Sequence, residues 1–161
     1  MSATVSESNG HAKGDYTVPL LVNGVEKLTA TTFDVVSPDT GAVVHKCASA
    51  SVEDAVSAVD AAAAALPNWK ATIPKERRDI FLKAAEIMEK RRQELVAYLM
   101  DETGGNLVWA NFNIDKAIDF IKDIAGRVSS IQGLLPVTED RDRTGMILKE
   151  PFGVVLSIAP W

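Results

Sequence analysis

The stretch KEPFGVVLSIAPW, residues 149–161, decides how the rest of the chain is read. Its centre, residues 154–159, is a short apolar run with β-branched members between Gly153 and Pro160, the pattern of a strand covered on both faces. Such strands lie inside sheets, because their backbone N–H and C=O groups need neighbours on either side. No neighbour follows Trp161 in the sequence, so the strand is expected to belong to a sheet that further chain completes.

Working outward from this run, residues 138–143 are polar and charged and lead into Met146-Ile147-Leu148-Lys149, which reads as extended. Before them, Ile114, Ile118, Ile121, Ala125 and Val128 share one helical face, and a helix is expected from Val108 to about Ile131, ended by Gly133 and Pro136. Trp109 and Phe112 fall on this helix at helical spacing, which reads first as core. A further helical stretch starts at Thr72 as cap with Pro74 in its first turn. It carries Ile80, Ala84, Ile87, Arg91, Leu95 and Tyr98 in period, with a slight break near Lys90 and a stop at Glu102-Thr103-Gly104-Gly105.

Ser51 followed by Asp54 has the form of a helix cap with a carboxylate three residues on. Val52, Ala55, Val56, Val59 and Ala63 then repeat at helical spacing, and the helix is expected to end near Leu66-Pro67. Upstream, Asn23-Gly24 between apolar runs predicts a tight hairpin, since both residues tolerate positive φ. Pro38-Asp39-Thr40-Gly41 predicts a second hairpin, between Phe33-Asp34-Val35-Val36 and Ala42-Val43-Val44.

At 161 residues, 47% hydrophobic and 24% charged, the chain has the composition of a globular domain. A net charge of -5 argues against a nucleic-acid partner, which needs a concentrated basic face. The basic groups Lys75, Arg77, Arg78 and Lys90-Arg91-Arg92 alternate with acids and read as solvated helix faces. The longest apolar run, residues 61–66, is far below the roughly 20 residues of a membrane span. Residues 1–15 lack an apolar core, so a disordered polar tail on a cytoplasmic protein is expected.

Cys47 is the single cysteine, which excludes an internal disulfide. It lies in an alternating segment with no activating base evident beside it and reads as a small hydrophobe. His11 and His45 are too isolated for a metal site, and none is expected.

Residues 149–161 resemble the entrance to the coenzyme domain of the aldehyde dehydrogenase superfamily, where Glu150-Pro151-Phe152-Gly153-Val154-Val155 leads through a strand into Pro160-Trp161. Other motifs follow the family in order. Ser37-Pro38-Asp39-Thr40-Gly41 is similar to its early turn, and Ser51-Val52-Glu53-Asp54-Ala55 with Asn68-Trp69 to its first helix. Arg77, Arg91-Arg92 with Glu94-Leu95, and Glu102-Thr103-Gly104 are similar to its next helical pair and the loop after it. The form of the terminal stretch is nearest to members acting on vanillin or salicylaldehyde.

This resemblance implies an α/β fold, the N-terminal part of the family's architecture. Residues 16–135 would hold hairpins and helices of the coenzyme-binding domain, and residues 136–150 the start of an oligomerisation arm. Residues 151–161 would be the first, incomplete strand of a doubly wound sheet, where ligands bind at strand ends. It further implies an NAD(P)-dependent oxidation of an aldehyde, possibly an aromatic one, to a carboxylic acid by a homo-oligomer. NAD or NADP would lie along Ile158, Ala159, Pro160 and Trp161, and Asn111, Phe112 and Trp161 would line the substrate tunnel. The family's catalytic cysteine, glutamate and asparagine lie beyond residue 161, so the chain is expected to contain no catalytic residue and to be inactive alone. The rival expectation is a non-catalytic binding or structural module that associates with dehydrogenase subunits.

Overall fold

A computed structural model describes residues 16–159. Residues 1–15, expected as a tail, and Pro160 and Trp161 lie outside the described residues. The chain divides into two compact units, residues 1–61 with 98–105, and residues 62–97 with 106–161.

In the first unit, β1 (Thr17–Val18), β4 (Thr32–Val36) and β5 (Val43–Ala48) form a sheet in the order β1-β5-β4. β4 and β5 are the expected second hairpin, paired antiparallel with a register shift between Val35 and Val36. β1 pairs parallel to β5, Thr17 opposite Lys46, and the sequence reading did not anticipate this. β2 (Leu20–Val22) and β3 (Val25–Lys27) form the expected tight hairpin, with Asn23 at φ 53° and Gly24 at φ 76°. Val44, Ala48, Ser37 and His45 are the buried residues here.

Helix α1 (Val52–Ala71) opens as expected. The Asp54 N–H donates to Ser51 Oγ at 3.1 Å, and the Ser51 N–H donates to Asp54 Oδ2 at 2.9 Å. It does not end at Pro67, which lies inside the helix. The proline removes one intrahelical bond, and the carbonyls of the last turn are held from outside the helix. The Arg77 guanidinium donates to Trp69 O and Lys70 O, both at 3.2 Å, while Thr72 Oγ1 donates to Trp69 O. The same guanidinium lies 5.7 Å from the centre of the Trp69 ring.

In the second unit, α2 (Pro74–Lys90) starts one residue later than expected, with Ile73 as cap and Pro74 at its first position. Thr72 cannot cap it because its hydroxyl is engaged with Trp69 O and the Arg77 Nε–H. The Ile73 N–H donates instead to Glu76 Oε2 at 3.0 Å. The expected break falls at Arg91, whose N–H closes α2 on Ile87 O, and α3 (Arg92–Thr103) follows.

Helix α4 (Leu107–Arg127) opens where Asn106 Oδ1 accepts the Trp109 N–H at 2.9 Å. It packs on α2, with Ala85, Ala110, Ile114, Ile118 and Ala125 buried. The alanines let the two backbones approach closely, and the isoleucines fill the space between them. A 3₁₀ turn, Val128–Ser130, ends it, short of the expected Ile131.

Beyond this turn the extended stretch differs from expectation. Residues 136–150 are not rich in strand; one antiparallel bridge joins Leu134 to Ile147, with both N–H groups donating to the opposite carbonyl at 3.0 and 2.8 Å. Residues 154–159 form no strand. A strand exists through its ladder, and among the described residues no segment pairs with this one.

Candidate coenzyme and substrate site

The expected site residues come from two places in the second unit. Ile158 and Ala159 sit at the end of the unpaired segment, both exposed, Ile158 at 83%. The segment leaves Pro151 through Gly153, whose φ of 106° lies in the region that favours glycine. Among the described residues, no hydrogen bond joins Ile158 or Ala159 to Asn111 or Phe112. Pro160 and Trp161, the other half of the expected coenzyme wall, lie outside the described residues.

Asn111 and Phe112 lie one turn inside α4. The Asn111 side chain bonds back into its own helix, its Nδ2 donating to Leu107 O at 2.9 Å. Phe112 is 56% exposed and Trp109 37%, so the stripe read as core faces outward. The buried face is set by Ala110, Ile114 and Ile118, a quarter to a half turn away, and α4 has more apolar width than α2 covers. Lys116, one turn on, holds its Nζ 5.8 Å from the centre of the Phe112 ring, and its carboxylate neighbour Asp119 is 3.8 Å away. A cation over an exposed ring makes a surface suited to a flat, electron-rich group. The i, i+4 spacing of Phe112 and Lys116 is the signal in the sequence for this contact.

The chain's single thiol is that of Cys47. The thiol is half-buried on β5, and its pKa is pushed up, first by burial and then by the negative charge of Glu102. Both effects oppose the thiolate that a nucleophile or a metal ligand needs. His45, two residues earlier on the strand, is buried with its Nε2 3.2 Å from Glu102 Oε1. The pair ties the strand to the end of α3 within the first unit. The sequence reading missed this pairing, because residues 45 and 102 are far apart in the chain.

Main-chain groups at Ile158 and Ala159 belong to no ladder, and the Ile158 side chain offers apolar surface beside them.

A family model described as "Aldehyde dehydrogenase family" matches residues 25–161, nearly the whole described length. The chain belongs to the aldehyde dehydrogenase family. Vanillin dehydrogenase from Pseudomonas sp. strain HR199 is 41% identical over 146 residues, covering 89% of this chain and 30% of that protein. Salicylaldehyde dehydrogenase from Pseudomonas sp. strain C18 is 35% identical over 130 residues, covering 81% and 27%. Among solved structures, a salicylaldehyde dehydrogenase from Pseudomonas putida G7 complexed with salicylaldehyde superposes with a TM-score of 0.80 at 29% identity. That match covers 84% of this chain and 28% of the other. The chain thus spans less than a third of these relatives, the share expected of an N-terminal part of the aldehyde dehydrogenase fold. No helix among the described residues is long and apolar enough to cross a membrane.

Proposed function

We propose that this chain is the N-terminal part of an NAD(P)-dependent aldehyde dehydrogenase that oxidises an aromatic aldehyde to the carboxylic acid, and that it supplies binding surface without supplying the nucleophile. The observation that carries the reading is the family match over residues 25–161, with relatives named for vanillin and salicylaldehyde.

In this reading a bound nicotinamide coenzyme takes up the hydride. The chain's own contribution is positional: Ile158, Ala159, Pro160 and Trp161 bound the coenzyme, and Asn111, Phe112 and Trp161 bound the aldehyde. Phe112 offers a ring face for stacking an aromatic substrate, which fixes its orientation and excludes water from one side. Cys47 takes no part, because burial and then the negative charge of Glu102 push its thiol pKa up, away from the thiolate. The chain alone is therefore inactive. Residues 136–150, with the single bridge at their base and apolar side chains exposed, gain strand structure by pairing with a neighbouring subunit of a cytoplasmic homo-oligomer.

A chimera tests this. Residues 1–161 replace the matching part of the vanillin dehydrogenase relative, and reduction of NAD and of NADP is followed with vanillin and salicylaldehyde. The expected result is turnover by the chimera and none by the 161-residue chain. A folded, coenzyme-binding chimera that oxidises neither aldehyde contradicts the proposed substrate class. A chimera that turns over as before when Phe112 and Asn111 are both replaced by alanine contradicts the assigned aldehyde surface.

A further inference from the structure

Outside the proposed site, the β2–β3 hairpin carries a reactive dipeptide whose chemistry the dehydrogenase reading does not use. We propose that Asn23-Gly24 is a deamidation site gated by the Lys27–Asp54 ion pair. The turn is exposed at both residues, and nothing lies within 4 Å of a side chain added at Gly24.

The reaction needs no partner except water. The Gly24 amide nitrogen loses its proton to solvent base and forms a bond to Asn23 Cγ. The Cγ–Nδ2 bond breaks, and ammonia carries off that nitrogen. Water then opens the five-membered imide at one of its two carbonyls, leaving aspartate or isoaspartate, with no change in oxidation state. Glycine favours the attack because no side chain crowds the nitrogen.

The folded turn opposes ring closure. Ring closure requires Cγ and the Gly24 nitrogen to lie on the same side of the Asn23 Cα–C bond. The turn keeps both residues in the left-handed region, φ 53° and 76°, and restricts rotation about that bond while Val22 and Val25 stay paired. Reaction therefore proceeds through opening of the hairpin. Two strands of three residues are marginal by themselves. Their additional anchor is Lys27, the last residue of β3, whose Nζ meets Asp54 Oδ1 at 2.5 Å. Asp54 is held in turn by the Ser51 backbone at the start of α1.

The product would not restore the turn. Isoaspartate adds a methylene to the main chain of a loop that has room for two ordinary residues, and either product adds a carboxylate near Glu26. The mark is irreversible and would unpair β2 from β3.

The 161-residue chain is incubated in mildly alkaline buffer, and tryptic peptides are scored for the amide-to-acid mass change and for isoaspartate. A synthetic peptide of residues 14–27 is the unfolded reference. Asn23 is expected to convert more slowly in the chain than in the peptide. Lys27→Met and Asp54→Asn, which keeps an oxygen for the capping contact, are each expected to speed conversion about two- to fivefold, the range of an exposed ion pair. Conversion at Asn9-Gly10, the same dipeptide elsewhere in the chain, should be unmoved by both substitutions. An Asn23 that remains an amide while the peptide converts overturns the proposal. So does a rate equal to the peptide's, or one that neither substitution changes.

Discussion

Ile118 in α4 and Leu156 in the terminal segment are both apolar residues in apolar runs, yet one is 2% exposed and the other 84%. The difference lies in how each segment completes itself. A helix satisfies its backbone within its own residues, and α4 needs only a cap at Asn106 and the small-residue face of α2 to bury Ile118. An extended segment satisfies nothing by itself. Residues 154–159 have the composition of a buried strand but no ladder, so their side chains stay exposed. Local signals suffice for α4, whereas residues 154–159 need a partner strand that is absent among the described residues.

Paired truncations sharpen this contrast most. Ile118→Ala is expected to cost about 2–5 kcal/mol, the transfer term plus a cavity, while Leu156→Ala stays within about 0.5 kcal/mol, as for surface changes. Urea midpoints of the two variants check both, and a comparable loss from Leu156→Ala would show that the terminal segment is packed after all.

The next largest effect concerns the last turn of α1. Arg77→Met removes the donors to Trp69 O, Lys70 O and Thr72 Oγ1 and is expected to cost about 1–3 kcal/mol. Amide exchange would quicken at residues 68–71, beyond Pro67, and not at residues 55–60. Uniform quickening along α1 would mean that Arg77 supports the whole helix rather than its end.

Gly133→Ala probes the backbone bridge between Leu134 and Ile147. A Cβ at residue 133 would lie 2.5 Å from Ile147 O, the acceptor of the Leu134 N–H. Loss of amide protection at Leu134 and Ile147, with the urea midpoint unchanged, is the expected outcome.

The smallest effect is electrostatic. Lys27 and the Ser51 contacts hold the Asp54 carboxyl down to about 2, below its ordinary 3.8. A depressed carboxyl contributes stability that is complete above its unfolded value and lost as pH falls through the folded one. The β2–β3 hairpin should therefore loosen between about pH 4 and pH 2, seen in the amide shifts of residues 20–27, and Lys27→Met should abolish that pH dependence. A hairpin indifferent to Lys27→Met would remove the ion pair from the account.

The same contrast governs what the sequence made legible. Ser51 with Asp54, Asn23-Gly24 and Pro38 to Gly41 act over a few residues, and each produced the element it predicts. Pro67 misled because its penalty is local while the compensation, from Arg77, comes from the next helix. The parallel pairing of Thr17 and Val18 with β5 was invisible, since two residues show no periodicity. Trp109 and Phe112 obey the helical period but fall outside the width that α2 covers, which spacing alone does not reveal. The candidate site rests on the resemblance alone, since among the described residues no hydrogen bond joins Ile158 or Ala159 to Asn111 or Phe112.

The most direct test of the central claim, that this chain lends surface to a dehydrogenase site but no nucleophile, is hydride transfer by the 161-residue chain itself. Formation of reduced nicotinamide is followed with salicylaldehyde and either NAD or NADP, for the chain and for its Cys47→Ser variant. The account expects no turnover above buffer in either. Turnover by the chain that disappears in Cys47→Ser would contradict it, because a half-buried thiol whose pKa is pushed up would then be the nucleophile.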